Sequence, residues 1–341
     1  MSTAMPVRAR QLWFNAPHEL EVREALLAPA AGEVLVKVSC SAPSAGSELL
    51  VYRGHLPEAL ALDDTLAALR EQSSYPLRYG YASVGRVIAC GAGVQNDWLN
   101  RRVFGFQPHA SHYVAEPASL VPIPDAVPDE AAVFLANMET AVNLVQDGAP
   151  LLGERVAVFG LGIVGLLTSA LLTQFPLAAL YGLDPHPQRR TAAAGLGLTA
   201  LCDTAQREIL VAQFADWGGA DLLFEVSGAP QALTLALELS GYCSRIIVGS
   251  WYGSKACALP LGGAAHRNRI SVTTSQVSTL APALAGRWSK ARRFASAWEQ
   301  LQRVQPQRWI DARVPLEQAP DLYQRLHEHA EVPLQALFVF E

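Results

Sequence analysis

The amino-acid sequence predicts an α/β protein with two domains, one rich in β-strands and one built on a doubly wound parallel sheet. The chain has 341 residues, more than a single hydrophobic core usually accommodates. Its first third contains short apolar and alternating runs between turn residues, such as 33–38 and 85–91, which are typical of strands. From about residue 128 onward, helical patterns alternate with short apolar runs, including 155–159 and 179–183. This alternation indicates a parallel sheet with helices on both faces.

Composition and charge exclude several classes of protein. Half of the residues are apolar and 17% are charged, which is compatible with a large packed core. The net charge of −5 lacks the basic footprint of nucleic-acid-binding proteins, and no apolar run reaches the ~20 residues that a membrane helix requires. We therefore expect a small-molecule substrate, with no nucleic-acid or membrane partner. The scattered cysteines predict reduced thiols in a cytoplasmic protein; they are Cys40, Cys90, Cys202, Cys243 and Cys257.

A glycine-rich loop is the strongest motif. The apolar run 156–159 leads directly into Gly160-Leu161-Gly162-Ile163-Val164-Gly165, and an apolar helical pattern follows. A strand before and a helix after are the context that a dinucleotide-binding loop requires. Gly160 allows a tight turn, Gly162 lets the backbone approach a pyrophosphate, and Gly165 lets helix and strand pack closely. The sequence thus predicts a Rossmann-type unit whose helix N-terminus binds the pyrophosphate.

An acidic residue at the end of the next apolar run supports this prediction. Asp184 lies 24 residues after the first glycine of the loop, where a carboxylate accepts hydrogen bonds from the adenosine ribose and repels a 2′-phosphate. The predicted cofactor is therefore NAD rather than NADP. Arg189 and Arg190 leave NADP open, because an arginine accommodates a 2′-phosphate. Ser227 and Gly249 follow later apolar runs, at the sheet edge where the cofactor is expected to lie.

The chain resembles the medium-chain dehydrogenase/reductase family over nearly its whole length. Besides the loop and Asp184, the segments that carry the resemblance are 34–38, 122–125, 221–228 and 309–340. The resemblance implies a GroES-like catalytic domain over residues 1–127, completed by residues 277–341, and a Rossmann domain over residues 128–276. It also implies an active site in the cleft between the domains.

The positions at which zinc-dependent members of this family bind catalytic zinc carry other residues here. The first position falls on Ser44, the second on Tyr81, and the third on Ala136 or Asn137. A catalytic zinc requires three protein ligands, and these side chains are poor donors. Residues 104–112 also lack the cysteines that hold structural zinc in many members. We therefore expect no metal site.

A more specific resemblance concerns residues 44–48 and 52–54, which are similar to the branch that includes bacteriochlorophyllide dehydrogenases. The resemblance does not carry the pigment substrate over to this chain, because fold and family alone do not determine a substrate.

Without zinc, side chains have to polarise the carbonyl group and move the proton. Tyr81 is the first candidate, because its phenol can donate to a developing alkoxide; the alternative is an aromatic ring packed between strands. Glu48 and Glu139 are candidates for an orienting or basic carboxylate, with ordinary surface charges as the alternative. Ser44 is either a substrate-binding hydroxyl or the cap of a turn.

These features predict a zinc-independent NAD(H)-dependent oxidoreductase that interconverts a secondary alcohol and a ketone. Two alternatives remain open, an NADPH-dependent reductase of enones or quinones and a non-catalytic dinucleotide-binding protein. Cofactor choice and turnover of enones against simple carbonyls would separate the two enzymes. The sequence also leaves open whether the protein is a homodimer.

Overall fold

The computed structural model describes residues 5–56, 68–69, 74–328 and 332–340. The chain divides into two compact units, one formed by Met1–Ala136 with Leu301–Glu341 and the other by Asn137–Gln300. The second unit begins and ends later than the predicted domain over residues 128–276. Its later end has a physical reason, because Arg293 forms an ion pair with Glu139 inside the same unit.

The N-terminal part of the first unit consists mainly of antiparallel strands. Its elements are β1 (Val7–Ala16), β2 (Glu19–Leu27), β3 (Val34–Ser41), α1 (Ala45–Tyr52), β4 (Ser83–Cys90), β5 (Arg102–Gly105), β6 (His112–Ala115), β7 (Leu120–Pro122) and α2 (Asp129–Ala132).

The next stretch of chain, which contains the second unit, alternates between helices and strands as predicted. Its elements are α3 (Leu135–Gly148), β8 (Arg155–Phe159), α4 (Ile163–Leu172), β9 (Ala179–Leu183), α5 (Pro187–Ala193), β10 (Ala200–Cys202), α6 (Arg207–Asp216), β11 (Ala220–Glu225), α7 (Pro230–Leu239), β12 (Ser240–Val248), β13 (Ser271–Thr274) and α8 (Lys290–Val304).

The sheet of the second unit is parallel and has the order β10-β9-β8-β11-β12-β13. The strand order reverses between β8 and β11, and ligands of such sheets bind outside the carboxyl ends of the strands at this reversal. Phe159, the last residue of β8, is paired in register with Leu183 of β9 and Glu225 of β11. The carboxyl ends of these three strands therefore lie side by side.

The C-terminal segment, Leu301–Glu341, belongs to the first unit. Its elements are β14 (Ile310–Pro315), α9 (Ala319–Glu328) and β15 (Gln335–Val339). The sheet has the order β14-β15-β3-β4-β5-β7, with β6 also paired to β3, while β1 and β2 form a separate antiparallel pair. The predicted α/β fold class, with a β-rich, mostly antiparallel domain and a doubly wound parallel sheet, is confirmed.

An apolar cluster in the first unit joins α9 to α1 and β1. Leu322, Tyr323 and Leu326 of α9 are buried, a spacing that places them on one helix face. The Tyr323 ring packs edge-on against Phe14 of β1, with 5.5 Å between the ring centroids. This packing carries the Tyr323 hydroxyl to the beginning of α1, where the polar groups described below meet.

Two further observations bear on the expectations from sequence. None of the helices in the described ranges is long and apolar enough to cross a membrane. All five cysteines are free thiols.

Candidate functional site

In the second unit, the glycine-rich loop adopts a conformation that requires at least two of its glycines. Gly160 has φ of +93°, and a Cβ atom there would lie 2.6 Å from the Cα of Ser227. A Cβ at Gly165 would lie 1.8 Å from the carbonyl oxygen of Gly160. At Gly162, by contrast, a Cβ would meet nothing within 4 Å. The loop therefore packs closely on its inner side and leaves an open side at Gly162.

The open side lies at the N-terminus of α4. Gly162 is the N-cap of this helix, and no side chain caps its first N–H groups. Ile163 and Val164 form its first turn. Uncapped N–H groups and the helix dipole attract an anionic group, so this cradle fits the pyrophosphate of a dinucleotide.

Asp184, directly after β9, is 1% exposed and is tied to the glycine-rich loop. Its Oδ2 accepts a hydrogen bond from the backbone N–H of Leu161 at 2.8 Å. Its Oδ1 faces the backbone nitrogen of His186 at 2.8 Å and the Nδ1 of the same residue at 2.9 Å. Arg189 lies 3.5 Å from Oδ2. The half-exposed His186 ring therefore lies where a ribose hydroxyl would have to be in order to donate a hydrogen bond to Oδ1.

Glu225 is a buried carboxylate that the sequence analysis did not single out. It ends β11 and is 0% exposed. The backbone N–H of Ser227 donates to Oε1 at 2.8 Å, and the Ser227 hydroxyl donates to the same oxygen. The Tyr252 hydroxyl donates to Oε2, and burial together with this neighbouring carboxylate raises the pKa of Tyr252. In the sequence, a glutamate inside the strand pattern 221–226 was the signal that could have identified this buried carboxylate.

Gly249, also predicted beside the cofactor, follows β12. A Cβ atom there would lie 2.7 Å from Leu144 of α3, so close packing against this helix accounts for the glycine. Its N–H donates to the carbonyl oxygen of Glu225 at 2.9 Å.

Glu139, a candidate base, lies on α3 and is 2% exposed. Its Oε1 accepts hydrogen bonds from the Nζ of Lys290 at 2.8 Å and from the Nε of the buried Arg293 at 3.0 Å. Arg293 also donates to Asn143. Both cations contact the same carboxylate oxygen, and this arrangement ties α8 to α3.

In the first unit, the structure brings Glu48 and Ser44 together with three residues that were not among the predicted site residues, namely Ser41, His109 and Tyr323. Glu48 lies in the first turn of α1 and is 0% exposed. It accepts hydrogen bonds from the backbone N–H of Ser44 at 2.8 Å and from the Tyr323 hydroxyl. The Nε2 of His109 lies 3.0 Å from Glu48 Oε2, and its Nδ1 lies 2.8 Å from the Ser41 hydroxyl. Glu48 is therefore a buried, fully bonded carboxylate rather than a solvated loop charge.

Tyr81 lies beside this buried group. Its side chain is half-buried, and its hydroxyl donates to the Ser47 hydroxyl at 3.3 Å. Burial, and then the charge of Glu48, raise the pKa of Tyr81, while hydrogen bonds with Ser44 and Ser47 act in the opposite direction. The phenol therefore stays protonated at neutral pH, as a proton donor requires.

No family model matches this chain. D-guloside 3-dehydrogenase of Escherichia coli (strain K12) is 25% identical over 323 residues, which cover 88% of this chain and 91% of that protein. (R,R)-Butanediol dehydrogenase of Bacillus subtilis (strain 168) is 27% identical over 251 residues, covering 64% and 71%. An uncharacterised zinc-type alcohol dehydrogenase-like protein of Escherichia coli (strain K12) is 24% identical over 341 residues, covering 89% and 91%.

Solved structures match the whole chain. A short chain alcohol dehydrogenase from E. coli CFT073, complexed with NADH, superposes with a TM-score of 0.79 at 19% identity and covers 98% of this chain and 99% of its own. 2R,3R-Butanediol dehydrogenase from Bacillus subtilis gives 0.79 at 18% identity, covering 98% and 100%. The chain has the fold of the medium-chain alcohol dehydrogenases. The predicted class, an alcohol dehydrogenase-like oxidoreductase dependent on NAD(P), is confirmed.

Zinc-type relatives raise the question of whether this chain offers a zinc site. Within the described ranges, no group of three histidine, cysteine, aspartate or glutamate side chains is arranged to hold a metal ion. Ser44 and Tyr81, which stand where the family resemblance predicted zinc ligands, carry hydroxyl groups. Zinc in proteins is bound by Cys, His and acidic side chains, so this donor set does not fit it.

Proposed function

We propose that this chain is a zinc-independent, NAD(H)-dependent oxidoreductase that interconverts a secondary alcohol and a ketone, with Tyr81 as its acid–base group. One observation carries the proposal: the Tyr81 hydroxyl donates to the Ser47 hydroxyl beside the buried Glu48. The family resemblance predicted a zinc ligand at this position. The dehydrogenases among its relatives support the reaction class.

The residues of the second unit would hold the cofactor, which supplies the acceptor or donor of the hydride when bound. The N-terminus of α4 would bind its pyrophosphate at Gly162, where the backbone is open. Asp184 would accept hydrogen bonds from the ribose hydroxyls once the exposed ring of His186 turns away from Oδ1. The negative charge of Asp184 disfavours a 2′-phosphate, which supports NAD over NADP even with Arg189 close by.

Tyr81 would transfer the proton. In ketone reduction its phenol donates to the carbonyl oxygen as negative charge develops there, and in alcohol oxidation the phenolate oxygen takes the proton back. Ser47, which accepts the phenol hydrogen in the structure, offers a partner through which Tyr81 can regain a proton. Ser44 assists because its N–H fixes Glu48 at the beginning of α1.

Neither of the two candidate carboxylates transfers a proton in this proposal. Glu48 is 0% exposed and accepts bonds from Ser44, His109 and Tyr323, so substrate cannot reach it without breaking the network. Glu139 forms ion pairs with Lys290 and Arg293. In this proposal it stabilises the contact between α3 and α8 and takes no part in proton transfer.

The test is turnover by the Tyr81→Phe variant on a panel taken from the relatives named above, namely butanediol and D-gulosides, with NAD and NADP. We expect kcat to fall by ~10²–10⁴-fold while Kd for NADH is unchanged. Tyr113→Phe is the matched control, because the Tyr113 hydroxyl is buried without a hydrogen-bond partner in the described part of the chain. Full activity of Tyr81→Phe would contradict the assignment.

Enones, quinones and simple ketones, assayed with NADH and NADPH, extend the panel so that it separates the alternatives. Turnover confined to enones or quinones with NADPH would favour the reductase, and tight NADH binding without any turnover would favour the non-catalytic protein. The resemblance to the bacteriochlorophyllide branch makes a tetrapyrrole alcohol a further panel member. The free cysteines agree with a reducing compartment such as the cytoplasm.

We also propose that the protein is a homodimer. β13 is the edge strand of the parallel sheet, and all of its residues, Ser271–Thr274, are exposed. An exposed edge strand rich in β-branched residues pairs readily with another chain, and a second copy is the simplest partner. Light scattering should give a dimer that Thr273→Pro disrupts; a monomeric wild-type protein would contradict the proposal.

A further inference from the structure

We infer that the buried carboxylate of Glu225 biases the cofactor site toward the oxidised nicotinamide, which carries a positive charge, over the neutral reduced form. The inference rests on the NAD(H) binding proposed above and adds to it a determinant of redox preference.

The position of Glu225 in the sheet supports the inference. Glu225 is paired in register with Phe159, the residue before the glycine-rich loop, and with Val248 of β12. Asp184 directs the adenosine half of a dinucleotide to the β9 side of the strand reversal. The other half then extends over the carboxyl ends of β11 and β12. Glu225 is the last residue of β11 and therefore lies at that edge.

The donors around Glu225 fit an ionised carboxyl group. Two hydrogen bonds come from Ser227 and one from the Tyr252 hydroxyl. An ionised carboxylate only accepts hydrogen bonds, which matches three converging donors. All three donors are neutral, so they hold the carboxylate in place without cancelling its charge.

A buried charge distinguishes the two redox forms of the cofactor because only one of them is charged at the nicotinamide ring. Attraction between opposite charges is several times stronger in a protein site than in bulk water. The carboxylate therefore stabilises bound NAD⁺ relative to bound NADH, which favours the complex that oxidises an alcohol. Lys255, whose Nζ donates to the carbonyl oxygen of Gly228 at 3.0 Å, places a charge of opposite sign at the same edge.

The experiment measures Kd for NADH by fluorescence titration and Kd for NAD⁺ by competition, in the wild-type protein and in Glu225→Gln. We expect the ratio of the Kd for NADH to the Kd for NAD⁺ to be about tenfold lower in the variant than in the wild-type protein. Asp221→Asn is the control, because Asp221 lies on the same strand about 13 Å away at its amino end. This variant should leave the ratio of the two Kd values unchanged.

Lys255→Met gives a second reading that leaves the buried carboxylate intact, should Glu225→Gln fail to fold. Loss of this positive charge should strengthen the binding of NAD⁺ relative to that of NADH. An unchanged ratio in folded Glu225→Gln, or in Lys255→Met if the former does not fold, overturns the inference while the measured affinities uphold the proposed cofactor. A wild-type protein that binds neither form would instead refute the proposed function, and the inference with it.

Discussion

The Nε2 of His109 lies 3.0 Å from Oε2 of Glu48, and both side chains are completely buried. The two residues are 61 positions apart in the chain, so their contact ties α1 to the loop before β6. Ser41 on the other ring nitrogen and Tyr323 on the same carboxylate oxygen complete the network. The buried charge beside Tyr81 depends on this arrangement.

The first prediction concerns stability. His109→Leu should lower the free energy of unfolding by about 3–5 kcal/mol, because removal of one partner leaves a buried carboxylate short of a donor. Urea denaturation measures the change. His112→Leu is the control, since His112 is half-buried and its Nδ1 lies 3.1 Å from the Ser111 hydroxyl, outside the buried network. Equal losses of stability in both variants would show that the buried network contributes no more than an ordinary histidine contact.

The second prediction concerns pH. Burial and the charge of Glu48 raise the pKa of Tyr81, so neutralisation of Glu48 removes one cause and lowers that pKa. In Glu48→Gln, the loss of ketone-reducing activity at alkaline pH should therefore begin at a lower pH than in the wild-type protein. Profiles of kcat between about pH 7 and 11 measure it. Glu139→Gln should leave the profile in place; an equal shift in that variant would argue against a specific effect of Glu48.

The third prediction concerns cofactor choice. The wild-type protein should bind NADH more tightly than NADPH. Asp184→Asn should weaken NADH binding by about 1–3 kcal/mol and so reduce the difference between the binding free energies of the two cofactors. Asparagine retains an oxygen for the Leu161 N–H, so the loop should keep its shape. His186→Ala should strengthen NADH binding, because it removes the imidazole ring from Oδ1 of Asp184 while the backbone N–H of residue 186 stays in place. Tighter binding of NADPH by the wild-type protein would refute the prediction.

The fourth prediction concerns metal content. The purified protein should contain no stoichiometric zinc, because Ser44 and Tyr81 do not replace the thiolate and imidazole that zinc needs. Elemental analysis after gentle purification tests it, and activity should survive dialysis against a chelator. About one zinc per chain, lost together with activity, would require a zinc-dependent mechanism.

The sequence by itself determined the parallel sheet, the glycine-rich loop and the place of Asp184 at the end of β9. These features follow from apolar periodicity and glycine spacing within short segments, and neighbouring residues suffice to specify them. Tertiary structure alone decided what the candidate carboxylates do. Glu48 meets His109 across 61 positions and Tyr323 across 275, and Glu139 meets Arg293 across 154. Whether a carboxylate acts as a base or as a fixed buried charge depends on the donors around it, and here packing brings those donors from distant parts of the chain.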